Sequence, residues 1–301
     1  MIKNFIDINN FKKLELRNIL QFAKKIKNQP SKYNSLFKNK SVGLIFEKQS
    51  ARTRLSFTIG IHKFGGNVVE IDSKKIGFNN RESKKDILMT LSQYLDCIMI
   101  RNDNHKQLIE LSNYNILPII NGLSNFSHPC QILSDIFTIE ENLGKIEDNV
   151  ITWIGDINNV LISLIHAAEI FQFRLNVITP KKIMDKQQKL INKNKLKYAY
   201  FFNDIEEGII NSNCIMTDTW VSMGEKNIKN KKNILRKYQI NESVMKKAKN
   251  NAIFMHCLPA HRNEEVVDAV IDGNKSVVWQ QAKNRMYVQQ SIINYLLKTK
   301  R

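Results

Sequence analysis

The sequence predicts an α/β protein built as two doubly wound parallel-sheet domains, with the active site in the cleft between them. Three observations carry that expectation. Short runs rich in Ile and Val alternate with longer segments whose apolar residues recur at three- and four-residue steps. The repeated order of strand, helix and strand implies parallel strands with helices on the sheet faces. The alternation also runs twice, and 301 residues are too many for one ordinary core.

In the first half, SVGLIF (41–46), NVVEI (67–71), CIMIR (97–101) and LPIIN (117–121) have the length and β-branched content of buried strands. RTRLSFTIGIHKF, ESKKDILMTLSQYL and HKQLIELSNY lie between them with helical periodicity. HPCQILSDIFTIEENLG then reads as a long helix that stops at Gly144. The second alternation opens with NVITWIGD (149–156). It continues through NNVLISLIHAAEIF, RLNVIT, a polar helix MDKQQKLINKN, YAYFF, IEEGIINS, CIMTDTW and NAIFMHCLP. SVVWQQAKNRMYVQQSIINYLLKTKR closes the chain as a helix. The division falls near 140–150, giving domains of 1–145 and 146–301.

Composition narrows the function classes. Hydrophobic residues at 43% and charged residues at 25% fit a soluble globular protein. A net charge of +18 raises the question of nucleic acid. The lysines are spread along the whole chain among Asn and Ile, with no aromatic-interleaved basic stretch, so they read as a solvated surface and no nucleic-acid partner is expected. Such a field still draws in small anions. No apolar run is long enough for a bilayer, and the opening MIKNFIDINNFKKLELRN lacks a signal pattern, so a cytoplasmic protein without a membrane partner is expected. Cys97, Cys130, Cys214 and Cys257 are scattered without CxxC spacing, which suggests neither disulfides nor a zinc site.

In doubly wound sheets ligands bind beyond the carboxyl ends of the strands, so the residues following each strand matter most. After SVGLIF come Ser50, Ala51, Arg52 and Thr53, running into a helix whose N-terminal N–H groups attract anions. Taken alone, this is equally a serine cap beside surface arginines. CIMIR ends in Arg101; after LPIIN come His128, Pro129 and Gln131 at a helix start. In the second half the strand ends supply Asp156, Asn158, Asn159, Asp218, Ser222, Met223, His256, Cys257 and Leu258, and Asn284 and Arg285 lie on the last helix. Each has a bland explanation as a turn or core residue. Together they set anion binders in one half against carboxylate, amide and thiol groups suited to an amino acid in the other.

FEKQSARTRLSF and HPCQ resemble the phosphate-site and His-Pro-x-Gln motifs of the transcarbamoylase family, and WIGDINNV, TDTWVSMG and FMHCLPAHRNEEV resemble its ornithine branch, the similarity covering nearly the whole chain. The resemblance implies transfer of a carbamoyl group from carbamoyl phosphate to the δ-amine of ornithine, giving citrulline and phosphate, without cofactor or metal. It implies that Ser50, Ala51, Arg52 and Thr53 hold the phosphate, that Arg101 and His128 reach the carbonyl oxygen, and that Gln131 meets the carbamoyl amine. Arg285 and the Cys257–Leu258 segment would complete that site from the other domain, while the final helix (about 284–301) packs back on the first. Asn159 and Met223 would take the α-carboxylate of ornithine, and Asp218 and Ser222 its α-amino group. Arg52, Arg101, His128 and Cys257 form the implied catalytic set, and a homotrimer is the implied assembly.

Three positions depart from the family pattern. Ala51 replaces the commoner Thr, losing a hydroxyl and keeping the N–H. DSKKIGFNNRES offers Lys75 where a Gln usually reaches a neighbouring subunit. Asn263 stands where Gly is usual, the next best residue if φ is positive there. Among rival acceptors, aspartate calls for cations opposite its second carboxylate, whereas Asp218 has the opposite charge. N-acetylornithine and putrescine share the reacting amine, and a non-catalytic ligand-binding relative is the rival from another class.

Overall fold

The computed structural model describes residues 2–48, 50–76, 82–187, 191, 196–221 and 228–299, with the side chains at 74–75 and 228–229 also outside that set. The chain divides into two compact units, one of Met1–Ser134 with Lys283–Arg301 and one of Asp135–Ala282.

The first unit opens with helix α1 (Lys13–Asn28), continues through β1 (Ser41–Phe46), α2 (Ala51–Lys63), β2 (Asn67–Asp72), α3 (Ser73–Ile76), α4 (Lys84–Ser92), β3 (Cys97–Arg101), α5 (His105–Asn113) and β4 (Ile119–Leu123), and enters α6 (Pro129–Leu143). Its strands pair in parallel in the order β2-β1-β3-β4. Right-handed crossovers in an order that reverses at β1 send the helices to opposite faces of the sheet. Ile45, Ile98, Ile100 and Ile119 share a buried cluster with Leu88, Leu108 and Leu111 from α4 and α5. Each such side chain contributes about 1.5–3 kcal/mol by leaving water. Phe5 extends the sheet beyond β4, its N–H donating to Ile119 O at 2.8 Å and its carbonyl accepting from Asn121 N at 2.9 Å.

The alternation of strands and helices in the sequence did not include α1. It buries Leu16, Ile19, Leu20, Ala23 and Ile26, one helical face. The last part of the closing helix lies with it: Ser291 donates to Ile19 O at 2.6 Å and Tyr295 to Glu15 at 2.7 Å.

The second unit takes over within α6, stopped by Gly144 at φ +80, a left-handed position open to glycine. It contains β5 (Val150–Ile154), α7 (Asn159–Phe171), β6 (Arg174–Ile178), α8 (Lys181–Lys186), β7 (Ala199–Phe202), α9 (Ile205–Gly208), β8 (Cys214–Thr217), α10 (Ile228–Leu235), α11 (Glu242–Lys247), β9 (Ile253–His256) and α12 (Asp268–Ile271), and the start of α13 (Val278–Thr299). The parallel order is β7-β6-β5-β8-β9. Ile154, Ile178, Ile215 and Phe254 meet Val244, Met245, Val270 and Ile271 in its core.

The first sheet reverses its winding between β1 and β3, the second between β5 and β8. These switch points leave a crevice beyond the strand ends in each unit. No helix among the described residues is long and apolar enough to cross a membrane.

Candidate functional site

At the first switch point Ser50 caps α2, accepting from Thr53 N at 3.4 Å, and leaves N–H groups of the first turn facing outward beyond β1. Arg101 ends β3 opposite Phe46 of β1. Its Nη1 donates to Ser50 Oγ at 3.0 Å and Thr53 Oγ1 at 3.1 Å. Arg285 of α13 donates to the same Thr53 hydroxyl at 3.1 Å, and α13 from Lys283 onward belongs to the first unit. The 232-residue separation of that pair hides it from local patterning. Two guanidinium groups converging on one neutral, 1% exposed hydroxyl repel each other, an arrangement that an anion binding there would relieve. Arg52 is exposed and Ala51 keeps its place in the first turn.

His128 and Gln131 are buried at the start of α6, where His128 O accepts from Gln131 N at 3.1 Å. The preceding loop is clamped: Ser124 N donates to Ser127 O at 2.9 Å, Ser127 N to Ser124 Oγ at 3.1 Å, and His105 Nδ1 lies 2.8 Å from Ser124 Oγ. Burial first, then the charges of Arg285 and Arg101, hold the His128 pKa well below 6.5. The imidazole is therefore neutral at physiological pH and offers a hydrogen bond without a charge.

Below pH 6.5 the unfolded chain gains a proton at His128 that the folded protein refuses, so stability present above 6.5 is lost as pH falls. Thermal unfolding between pH 7 and 5 is expected to show a falling Tm, with a shallower fall in His128→Gln. Parallel slopes would contradict this.

A brace that local reading missed ties the ends of β1 and β3. Glu47 N donates to Arg101 O at 3.0 Å, and Asn102 Nδ2 donates to Glu47 Oε1 at 2.8 Å. Burial, reinforced by Asp103, raises the Glu47 pKa.

At the second switch point Gly155, at φ +139, turns the chain out of β5; a Cβ there would stand 3.2 Å from Thr217 Oγ1. Asp156 pairs with Lys231 at 2.6 Å. Asn158 caps α7, accepting from Val160 N at 3.0 Å and Leu161 N at 3.1 Å, and donates to Asp218 Oδ2 at 2.8 Å. Asp218 Oδ1 accepts from Thr219 N at 2.8 Å and the Cys257 thiol at 3.0 Å. Asn159 is the first residue of α7, and Leu258 follows Cys257 with φ +56. Asn263 has φ +65, the conformation in which Asn substitutes for Gly. Ser222, Met223 and the side chain of Lys75 lie outside the described residues.

The described cysteines are free thiols. Burial pushes Cys130 up to about 12, and burial with Asp135 raises Cys214, so neither is a nucleophile. Asp218, His256 and Cys257 bring ligand-type atoms within 4.8 Å of one another, as do His261, Glu264 and Glu265. In the first trio both ring nitrogens of His256 are engaged, Nδ1 by Leu258 N at 2.9 Å and Nε2 by Glu265 at 3.2 Å, so no lone pair is left for a metal.

Residues 3–141 match the family model described as aspartate/ornithine carbamoyltransferase, carbamoyl-P binding domain, and residues 147–296 the corresponding Asp/Orn binding domain. The chain is 41% identical over 300 residues to the ornithine carbamoyltransferase of Rhodopseudomonas palustris, covering 97% of this chain and 96% of that one. It is likewise 41% identical over 300 residues to that of Brucella suis, covering 98% and 96%. Among solved structures, the ornithine carbamoyltransferase of Burkholderia thailandensis superimposes with a TM-score of 0.88 at 34% identity over 98% of this chain and 99% of that one. The enzyme of Pyrococcus furiosus gives 0.86 at 34% identity over 97% and 96%.

Proposed function

The chain belongs to the aspartate/ornithine carbamoyltransferase family, and from that premise we infer that it transfers the carbamoyl group of carbamoyl phosphate to the δ-amine of L-ornithine, yielding L-citrulline and phosphate. The observation that carries the choice of acceptor is Asp218, a carboxylate held at the second switch point by Asn158, Thr219 and Cys257. A carboxylate there suits an α-ammonium group and repels the second carboxylate of aspartate.

In this reading the α2 N-terminus, Ser50, Arg52, Thr53, Arg101 and Arg285 bind the phosphate, with His128 and Gln131 turned to the carbamoyl group. Asn159 takes the α-carboxylate of ornithine and Asp218 its α-ammonium. Ornithine's side-chain amine resembles that of lysine, with a pKa of about 10.4, so it must lose a proton before attack. The neutral amine then adds to the carbamoyl carbon, and the tetrahedral intermediate expels phosphate by breaking its C–O bond. Neutral His128 and the guanidinium groups stabilise charge growing on the carbonyl oxygen and the leaving phosphate, the electrostatic effect that dominates such sites. Cys257, bonded to Asp218, orients the acceptor instead of forming a thioester, so sequential rather than ping-pong kinetics are expected. Formation of citrulline from carbamoyl phosphate and ornithine, with aspartate, N-acetylornithine and putrescine offered in parallel, tests the assignment; no citrulline, or a better rate with another amine, refutes it.

The free thiols support a reducing, cytoplasmic setting. A homotrimer is supported by apolar side chains that one copy leaves in water: Leu55 and Ile59, one turn apart on α2, and Val69 on the edge strand β2. Sedimentation is expected to give three times the chain mass, and a monomer would oppose the assembly.

A further inference from the structure

The turn that follows β9 carries Cys257 and Leu258, and behind it runs a buried polar chain that the reaction chemistry leaves unexplained. His256, 1% exposed, ends β9. Its backbone N–H donates to Gln281 Oε1 at 3.0 Å, and the amide of Gln281 donates to Asp135 at 2.8 Å. On the side-chain end, Nδ1 accepts the N–H of Leu258 at 2.9 Å. An accepting nitrogen bears no proton, so the ring hydrogen resides on Nε2 and is directed at Glu265 Oε1, 3.2 Å away. The same carboxylate oxygen accepts His261 N–H at 2.6 Å. Side chains from inside the unit thus hold the turn by a backbone amide at each end.

What distinguishes this arrangement from an ordinary buried ion pair is the residue it grips. Leu258 stands at φ +56, a left-handed conformation that a branched side chain keeps only when its surroundings impose it. The bond from Leu258 N–H to the buried imidazole of His256 is such an imposition. Release of that bond frees Leu258 toward negative φ. The Leu258 carbonyl then turns and the Cys257 thiol loses its alignment on Asp218.

We propose that His256, locked by Glu265 with its proton on Nε2, is a positioning residue that sets the Cys257–Leu258 turn for catalysis. The inference rests on the reading of that turn as substrate-facing. It is tested by a pair of amides. His256→Asn keeps an acceptor near the place of Nδ1, within reach of Leu258 N–H. His256→Gln instead extends toward Glu265 and leaves that N–H unbonded. Both remove the same ring, so a purely structural role lowers them alike.

Loss of the Leu258 N–H bond in the Gln variant is expected to lower kcat for citrulline formation at least about tenfold, with the Asn variant within about threefold of wild type. Inhibition by inorganic phosphate, which reports on the first unit, is expected to stay within about twofold in both. Hydrogen exchange at the Leu258 amide should be slow in wild type and Asn and fast in Gln. Equal turnover in the two variants, or equal Leu258 exchange in all three proteins, overturns the positioning role. Wild-type protein that makes no citrulline refutes the functional assignment instead, and the exchange comparison still decides the role of His256.

Discussion

Arg101→Ala is expected to lower kcat/KM for carbamoyl phosphate by roughly 10²–10³-fold, the loss typical of removing a donor aimed at transition-state charge. The guanidinium of Arg101 bridges Ser50 and Thr53 at 3.0 and 3.1 Å, so its loss removes a positive charge and the tie between the β3 end and the N-terminus of α2, the proposed phosphate site. Lysine is not expected to restore activity, because an ammonium is a point charge and cannot reproduce the fork. Global stability should change little, since the substitution also relieves repulsion between two guanidinium groups on Thr53. Arg101 is one of two charges that depress His128, so the alanine variant should also show a shallower decline of Tm below pH 6.5. Steady-state citrulline assays and thermal unfolding at several pH values check both parts. A variant within tenfold of wild type, or one rescued by lysine, would remove Arg101 from the site.

The sheets were legible because buried parallel strands write themselves as short β-branched runs: SVGLIF and CIMIR match β1 and β3 residue for residue. LPIIN is displaced from β4, which spans Ile119–Leu123. Pro118 has no N–H to give the sheet, and pairing instead continues past Asn121 with an irregularity at Ile100/Arg101. IEEGIINS forms a helix only over Ile205–Gly208. Asp204 caps its start, accepting from Glu206 N at 2.8 Å, but Ile209 and Ile210 are β-branched and weak helix formers. Helices α10, α11 and α12 lie outside the expected alternation, each of eight residues or fewer and so shorter than the window of roughly 11–18 residues in which helical periodicity stands out.

The site was legible where a strand end and a helix cap are neighbours in sequence, as at Ser50–Thr53 and Asn158–Asn159. It was hidden where a side chain crosses the fold. Thr53 meets Arg285 across 232 residues, and Gln281 meets Asp135 across 146. Glu265 carried no chemical signal in FMHCLPAHRNEEV, because its importance lies in a buried bond to His256 that only packing creates. Motifs disclose candidate substrate-facing groups more readily than the groups that hold them still.

The second large effect is expected from Asp218→Asn, a change of one atom. The carboxylate accepts from Asn158, Thr219 and Cys257. Its two oxygens offer about four lone-pair directions, which leaves room for an ammonium group. An amide at 218 must turn its NH₂ either toward the Asn158 NH₂ or toward the Thr219 N–H and Cys257 thiol. Asn158 cannot flip to accommodate it, because its oxygen caps α7 through Val160 and Leu161 at 3.0 and 3.1 Å. Donor therefore faces donor in either orientation, at a stability cost of about 1–3 kcal/mol. The larger consequence is for the acceptor: the charge-assisted bond proposed between Asp218 and the α-ammonium is lost, and kcat/KM for ornithine should fall about 10–10²-fold. In the proposed assignment carbamoyl phosphate is bound by residues of the first unit, and its Kd by calorimetry should stay within about twofold. Putrescine, which has no α-amino group to lose, should suffer far less, so the preference for ornithine narrows. Equal weakening of ornithine and carbamoyl phosphate would show that Asp218 supports the fold of the site without selecting the amine.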